Sequence, residues 1–308
     1  MTHLFAEHTE AQKSENKVDP MAIQNMLEEF GLDWYVKKEP MVIFNPSTGE
    51  PEETPFFATV RQDNRTKFAT VKSGYEVFQN HELAELVHRV AGKMGHKVTN
   101  GGSFNGGGQV YLQIALEDQR VANDLVKRWA SGINSFDVTT ALRWSPETNT
   151  ISCRNTFWAA YKLMKSSVRH TTNMREMVER SLRAIEELQE ADHSLFEVLA
   201  KFALEPVKRE NIEAVVQTIT GVDLKTTQKE AEEKYSTRSL NMTRDLMDSL
   251  SQELNSKDKT LWGLFSGVTH YTTHKAGTDK ARDKSKALGS LYRTDNAVFE
   301  MLKELVYA

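Results

Sequence analysis

Gln109-Val110-Tyr111-Leu112-Gln113-Ile114-Ala115-Leu116 is the stretch that decides the fold. Val110, Leu112, Ile114 and Leu116 recur every second position, the period of a strand with one buried face. A helix would need its apolar positions three and four apart. Immediately upstream, Gly101 to Gly108 holds five glycines, and Lys97 to Gly102 leads into it, so the two segments predict strands around a glycine-rich turn. Further upstream, Phe56 to Arg61 and Lys67 to Val71 are short alternating runs joined by Gln62-Asp63-Asn64-Arg65, a second hairpin. Downstream, Asp124 to Gly132 and Phe136 to Trp144 read as another β pair, although the first also fits a helix. Ser145-Pro146-Glu147-Thr148-Asn149 has turn chemistry.

The flanks of this β block have the other period. Met21 to Phe30 and His81 to Lys93 place apolar residues at helical spacing, and Gly31 follows the first as a stop. Between them, Trp34-Tyr35-Val36 and Met41 to Phe44 are strand-like, and Asn45 to Pro55, with three prolines, predicts a loop. From about 151 onward the pattern is helical. Asn173-Met174-Arg175-Glu176 resembles a capping box opening a helix that Pro206 ends. Val207 to Thr220 is a helix closed by Gly221, and Lys225 to Leu254, Leu261 to His274 and Asn296 to Val306 complete the set. The expectation is an α+β protein: an antiparallel β-rich N-terminal module with one or two helices, then a helical C-terminal module. Its parts are a mobile acidic arm over 1–20, an α+β module over 21–152 and a mostly helical module over 153–308 with a basic loop at 275–293.

The 308 residues carry 39 basic and 43 acidic side chains, a formal charge of −4. No uncharged run approaches the ~18 residues of a membrane span, and the N-terminus lacks the order of a signal peptide. A cytoplasmic protein is expected. The single cysteine, Cys153, excludes an internal disulfide and any multi-cysteine metal site.

No catalytic constellation can be read. The glycine run leads into a strand and no lysine follows, so it is a hairpin tip rather than a Walker loop. His270 and His274 are four apart but have no glutamate between them, which is not the metalloprotease pattern. Cys153 lies at a predicted helix start with no base in view, and a buried apolar role is favoured. The protein is expected not to be an enzyme and to need no cofactor.

The charge itself is segregated. Residues 1–60 carry a net −7, whereas 153–180 and 270–293 carry +4 each. A partner feels such a local field over a Debye length of about 8 to 10 Å. In the first island Arg154, Lys162, Lys165, Arg169 and His170 follow Trp144, Phe157, Trp158 and Tyr161. In the second, Lys275, Lys280, Arg282, Lys284, Lys286 and Arg293 surround Tyr292. Cations that neutralise phosphates beside rings that stack bases are the ingredients of a nucleic-acid site. With Arg143, these cations form the expected nucleic-acid-binding set, the two islands meeting to hold a polyanion.

Three segments resemble a family of phage and plasmid-like proteins of unknown function. They are Gly31-Leu32-Asp33-Trp34-Tyr35-Val36 with Phe57-Ala58-Thr59-Val60-Arg61 and Gly74 to Asn80; Ile151-Ser152-Cys153-Arg154-Asn155-Thr156; and Thr260 to Phe265 with Val268-Thr269-His270-Tyr271. Arg154 stands where the family usually has glutamine. The resemblance implies a gene of phages, prophages or plasmids acting inside a bacterium, and brings no settled activity. The order of a β block followed by a helix over Phe136 to Met164 is also similar in arrangement to phage single-strand-annealing proteins. The expected function is single-stranded DNA binding in recombination or annealing, by a homo-oligomer without a nucleotide cofactor. The alternative is a protein-interaction or assembly module, suggested by the acidic arm and the long helices.

Overall fold

The computed structural model describes residues 19–150, 156–158, 170, 184–278, 281–282, 285–286 and 289–307. It is an α+β structure with antiparallel sheets in the N-terminal half and helices in the C-terminal half. The chain divides into two interleaved compact units. The first takes residues 1–115, 130–144 and 163–188, and the second takes 116–129, 145–162 and 189–308. Of the arm at 1–20, all but the last two residues lie outside the described residues, as does Asn173 with its capping box.

The first unit begins with α1 (Pro20–Glu29), capped by the Asp19 carboxylate on the Met21 N–H at 3.0 Å. A three-stranded sheet follows: β1 (Val36–Phe44), β2 (Pro51–Arg61) and β3 (Lys67–Lys72), in that order. Here the expected loop shrinks to a turn, because Pro51 and Pro55 are both in β2. The register slips between Pro40 and Val42, and β2 meets β3 only from Phe56 onward. Pro51 and Pro55 therefore withhold no N–H that β3 would need. Thr54 Oγ1 donates to the Met41 carbonyl at 2.6 Å and satisfies the bulge.

Helix α2 (Asn80–Met94) buries Leu83, Leu86, Val87 and Val90 as its spacing predicts, and ends at Gly95 with φ 72°. Its N-terminal amides bind neighbouring backbone. Gln79 exchanges two hydrogen bonds with Val36, and Asn80 donates to the Leu32 and Trp34 carbonyls.

A five-stranded sheet runs β4 (Val98–Phe104), β5 (Gln109–Val121), β6 (Asp124–Ser135), β7 (Arg143–Thr150) and β8 (Thr156–Trp158) in sequence order. Val110, Leu112 and Ile114 are fully buried. Asp124 to Gly132 is a strand, not a helix. The expected strand over Phe136 to Trp144 starts only at Arg143, and the turn expected at Ser145 to Asn149 is inside β7. Residues 136–142 are irregular because Val138 sits at φ 58° and local side chains hold the turn. Ser135 Oγ donates to the Thr140 carbonyl at 2.6 Å, and Asp137 accepts from Thr139.

His170 belongs to this unit. It stacks on Tyr75 at 4.9 Å, and its Nδ1 faces the Glu76 carbonyl at 3.0 Å. Burial holds its pKa below the ordinary value, against the opposing pull of that carbonyl. A folded imidazole that resists protonation binds fewer protons than the unfolded one, so its contribution is fully present above about pH 6.5 and is lost as pH falls below it. Replacing His170 by Gln, which keeps a donor for Glu76, should flatten part of the fall in melting temperature between about pH 7 and 5. An unaltered pH profile would contradict this.

The second unit is a helical core. It comprises α3 (Ala184–Leu204) from Gln189 onward, α4 (Arg209–Thr220), α5 (Gln228–Lys234), α6 (Thr237–Ser256), α7 (Leu261–His270), a π-helical turn (Tyr271–Lys275) and α8 (Ser290–Tyr307). The helix expected over Lys225 to Leu254 is two helices. Tyr235 is extended between them, and Thr227 and Ser236 cap the two starts. The helix expected to run to His274 turns to π geometry after His270. Leu199, Phe202, Leu246, Leu264, Phe265 and Val268 form the centre, joined by Val121 and Val126 from the tip of the β5–β6 hairpin.

Helices α6 and α7 pack closely enough to require Gly267, where a Cβ would approach the Leu250 Cα to 2.7 Å. Gly267→Ala gains about 1 kcal/mol of helix propensity but overpacks against backbone, at a cost of about 1 to 3 kcal/mol. The expected result in urea denaturation is a net loss of about 1 kcal/mol; a gain would refute the close approach.

Candidate functional site

The glycine-rich tip in the first unit is packed rather than loose. Arg61 donates to the Gly106 carbonyl at 3.1 Å, lies 4.1 Å over Trp34 and is paired with Asp63 at 2.7 Å. A Cβ on Gly107 would meet Trp34 at 2.9 Å, which is why glycine stands there. The Arg61 charge is already matched, and the tip makes a hairpin turn.

In the second unit a cleft of about 440 Å³ opens beside the π-helical turn. Two guanidinium groups line it, Arg238 from the first turn of α6 and Arg282 from the segment before α8. Tyr271, Thr278, Ser285, Ser290 and Thr294 line it too, as do the apolar Ile219, Met242 and Leu291. Among the described residues, no carboxylate lines it. Arg282 is held in place: its Nε donates to the Ala276 carbonyl at 3.0 Å and its Nη2 to that of Gly277 at 3.4 Å. Ser285 accepts from the Leu291 N–H at 3.2 Å and lies 3.1 Å from Ser290 Oγ. Burial, with the Asp245 carboxylate adding to it, pushes the Tyr271 phenol above its ordinary pKa, so its hydroxyl stays a donor.

Behind the cleft is a buried polar knot. Lys286, 4 % exposed, is paired with the carboxylate of Asp295, 1 % exposed, on α8. Its ammonium also donates to Thr272 Oγ1 at 2.5 Å, and Thr272 donates to Asp295 Oδ1 at 2.7 Å. Burial pushes the Asp295 carboxyl above its ordinary range in spite of Lys286.

The expected nucleic-acid residues thus separate. Lys286, expected to contact phosphate, is an internal strut with no exposed charge to offer. Lys275 is half-buried at the end of the π turn, 3.4 Å from the Asp245 carbonyl and 3.9 Å from the Asp248 carboxylate. Arg282 lines the cleft, and Arg293 is exposed on α8, one residue before the lining Thr294. Arg143 is half-buried at the start of β7 in the first unit. Arg154, Lys162, Lys165, Arg169, Lys280 and Lys284 lie outside the described residues, as does Cys153. Arg238 and the hydroxyl set were not foreseen. Arg238 falls in a stretch of net negative charge, and only its place just after the Ser236 cap hints at a helix start open to a ligand.

His270 and His274 lie with ring centres 4.9 Å apart, and His270 Nδ1 faces Ser249 Oγ at 3.1 Å. Burial first, then His274 and Lys275, hold the His270 pKa below its ordinary value. No group of three potential metal ligands occurs among the described residues. No helix among them is long and apolar enough to cross a membrane.

The class is therefore an α+β protein whose helical unit carries a cation- and hydroxyl-lined cleft. The profile of a family described as a domain of unknown function, DUF932, matches residues 67–298, and the chain belongs to that family. No curated protein and no solved structure gives a significant match.

The strut can be tested apart from any ligand. Lys286→Met leaves Asp295 buried without its partner and should cost about 3 to 5 kcal/mol in chemical denaturation. The double variant Lys286→Met/Asp295→Leu should recover most of that loss. Equal stability of wild type and Lys286→Met would show that the pair is not buried as described.

Proposed function

We propose that this protein binds single-stranded DNA for a phage, prophage or plasmid, inside the bacterial cytoplasm. It acts as a non-enzymatic recombination or annealing factor, works as a homo-oligomer and needs no nucleotide cofactor. The observation that carries this reading is that Arg238 and Arg282 both line one cleft, together with hydroxyl-bearing and apolar residues. Guanidinium groups bind phosphate oxygens in a fixed fork, and neutral hydroxyls add hydrogen bonds. Arg293, exposed next to this cleft in sequence, extends the cationic surface.

Fluorescence anisotropy with a labelled single strand tests it. Binding should fall steeply between about 50 and 200 mM salt, with a log–log slope near −0.7 per phosphate neutralised. Arg238→Gln should weaken binding about tenfold and reduce that slope by about 0.7, because one charge-assisted contact is removed. Absence of binding at micromolar protein would refute the proposal.

One observation favours the alternative, a protein-interaction or assembly module. Val42, Ile43 and Phe44 at the end of β1 are 45 %, 57 % and 67 % exposed, a consecutive apolar run on a sheet edge. Light scattering that finds oligomers in a protein unable to bind DNA would favour that reading.

A further inference from the structure

We propose that the end of β1, Val42 to Phe44, is a self-association edge: it pairs antiparallel with the same three residues of a second copy of this chain, across a two-fold axis at Ile43. This gives the homo-oligomer of the functional reading above its contact, and it rests on that part of the reading.

The β1–β2 hairpin runs past β3. Because β3 meets β2 only from Phe56 onward, Val42–Phe44 and Pro51–Glu53 form a two-stranded ribbon. A ribbon of two strands is marginal in water on its own, and this one holds Val42, Ile43 and Phe44 in the open. Its turn is well tied: the Asn45 N–H donates to the Glu50 carbonyl at 2.9 Å, and the Gly49 N–H to that of Asn45 at 2.8 Å. The register then shows which backbone groups are left over. Pairs along an antiparallel ladder alternate, so Phe44 and Pro51, next to the bonded Asn45 and Glu50, are a non-hydrogen-bonded pair, as a proline without an N–H requires. Phe44 and, two residues back, Val42 therefore turn their N–H and C=O groups away from β2. Among the described residues no strand pairs with that side of β1.

The earlier part of the same strand is protected against pairing. Gln79 occupies both backbone groups of Val36, Lys38 brings a charge, Pro40 has no donor, and the register slips just after it. That protection stops at Met41. Met41 to Asn45 contains no charged residue, and a two-fold axis at Ile43 lays the segment on itself. Val42 then faces Phe44 of the second copy, each such pair exchanging both of its N–H···O bonds, with Ile43 against Ile43 between them. Pairs of an aromatic and a β-branched side chain are among the favourable cross-strand pairs. Glu52 and Glu53 lie on β2, so the two acidic sets stand three strand spacings apart, about 14 Å, beyond a Debye length of about 8 to 10 Å. Pro40 and the turn at Asn45 bound the open edge, so a longer foreign strand gains no further bond there. The contact is isologous and closes as a dimer instead of propagating.

Sedimentation velocity on the full chain without DNA, over about 1 to 200 µM, tests the contact, a range suited to a small interface. The expected result is a reversible monomer–dimer equilibrium. Ile43→Lys sets two ammonium groups against each other at the axis and should raise the dissociation constant at least tenfold. Its melting temperature should match that of the wild type, because Ile43 is exposed. Cross-linking tests the register: in a Cys153→Ser background, Ile43→Cys should form a disulfide-linked dimer on mild oxidation, because opposed residues of a non-hydrogen-bonded pair are close. Glu52→Cys, on the strand away from the axis, should stay uncross-linked in the same background. Dimers undiminished by Ile43→Lys, or equal cross-linking at Glu52→Cys, would overturn the β1 contact and leave the homo-oligomer reading standing. A wild-type chain that is monomeric throughout would overturn both together, while DNA binding is decided separately by anisotropy.

Discussion

The buried pair of Lys286 and Asp295, with Thr272 bridging them, is the constraint on which the architecture of the C-terminal unit turns. Removing two opposite charges from water is costly, and their attraction offsets that cost only when the remaining hydrogen-bond capacity is filled. Thr272 fills it, accepting from the ammonium and donating to the carboxylate. Three successive segments meet there: the π turn, the segment around Lys286 and the first turns of α8. A neutral contact would tolerate sliding of that segment. A buried charge does not, because any displacement strands it without a partner. The strut therefore fixes the segment that carries Arg282 and Ser285 into the wall of the cleft.

A second buried network does the same for the sheet. Asp124, at the start of β6, is paired with Lys257 and accepts from Trp262 Nε1 at 2.8 Å. Lys257 also lies 3.6 Å from Glu253, so the ammonium serves two carboxylates. Val121 and Val126 join the helical core on either side of this contact. The β5–β6 tip is consequently part of the second unit, though the strands that carry it are the clearest β pattern in the chain. The unit is discontinuous because one polar anchor and two valines at the tip find their partners among the helices.

These contacts explain what could be read from the residues and what could not. Period-two alternation in β5, the helical stripe of α2 and the Gly221 stop report local preferences, and each stands where the pattern puts it. The breaks came from tertiary accommodation. Pro51 and Pro55 enter β2 because β3 does not reach that far, a fact held in the register and not in the prolines themselves. The split after Lys234 is foreshadowed by Thr227 and Ser236, two capping residues inside one continuous apolar stripe, where the stripe is the louder signal. The cleft was the least legible part. Its hydroxyls come from four separate turns or helix starts, and hydroxyl residues at such places are usually caps.

Lys286 and Arg238 show why counting charge along a sequence misjudges a binding surface. The window around Lys286 has a net charge of +4, yet that lysine contributes nothing outward. Arg238 lies in an acidic stretch, yet it is exposed at a cleft lined by a second arginine. A ligand responds to the charge left after internal pairing, within about a Debye length of where it sits. Pairing depends on which chain segments meet, and that is decided by the apolar cores and the two polar knots. The same apolar residues that shape the fold thus select which cations remain available, so the electrostatics of the cleft follow from its packing.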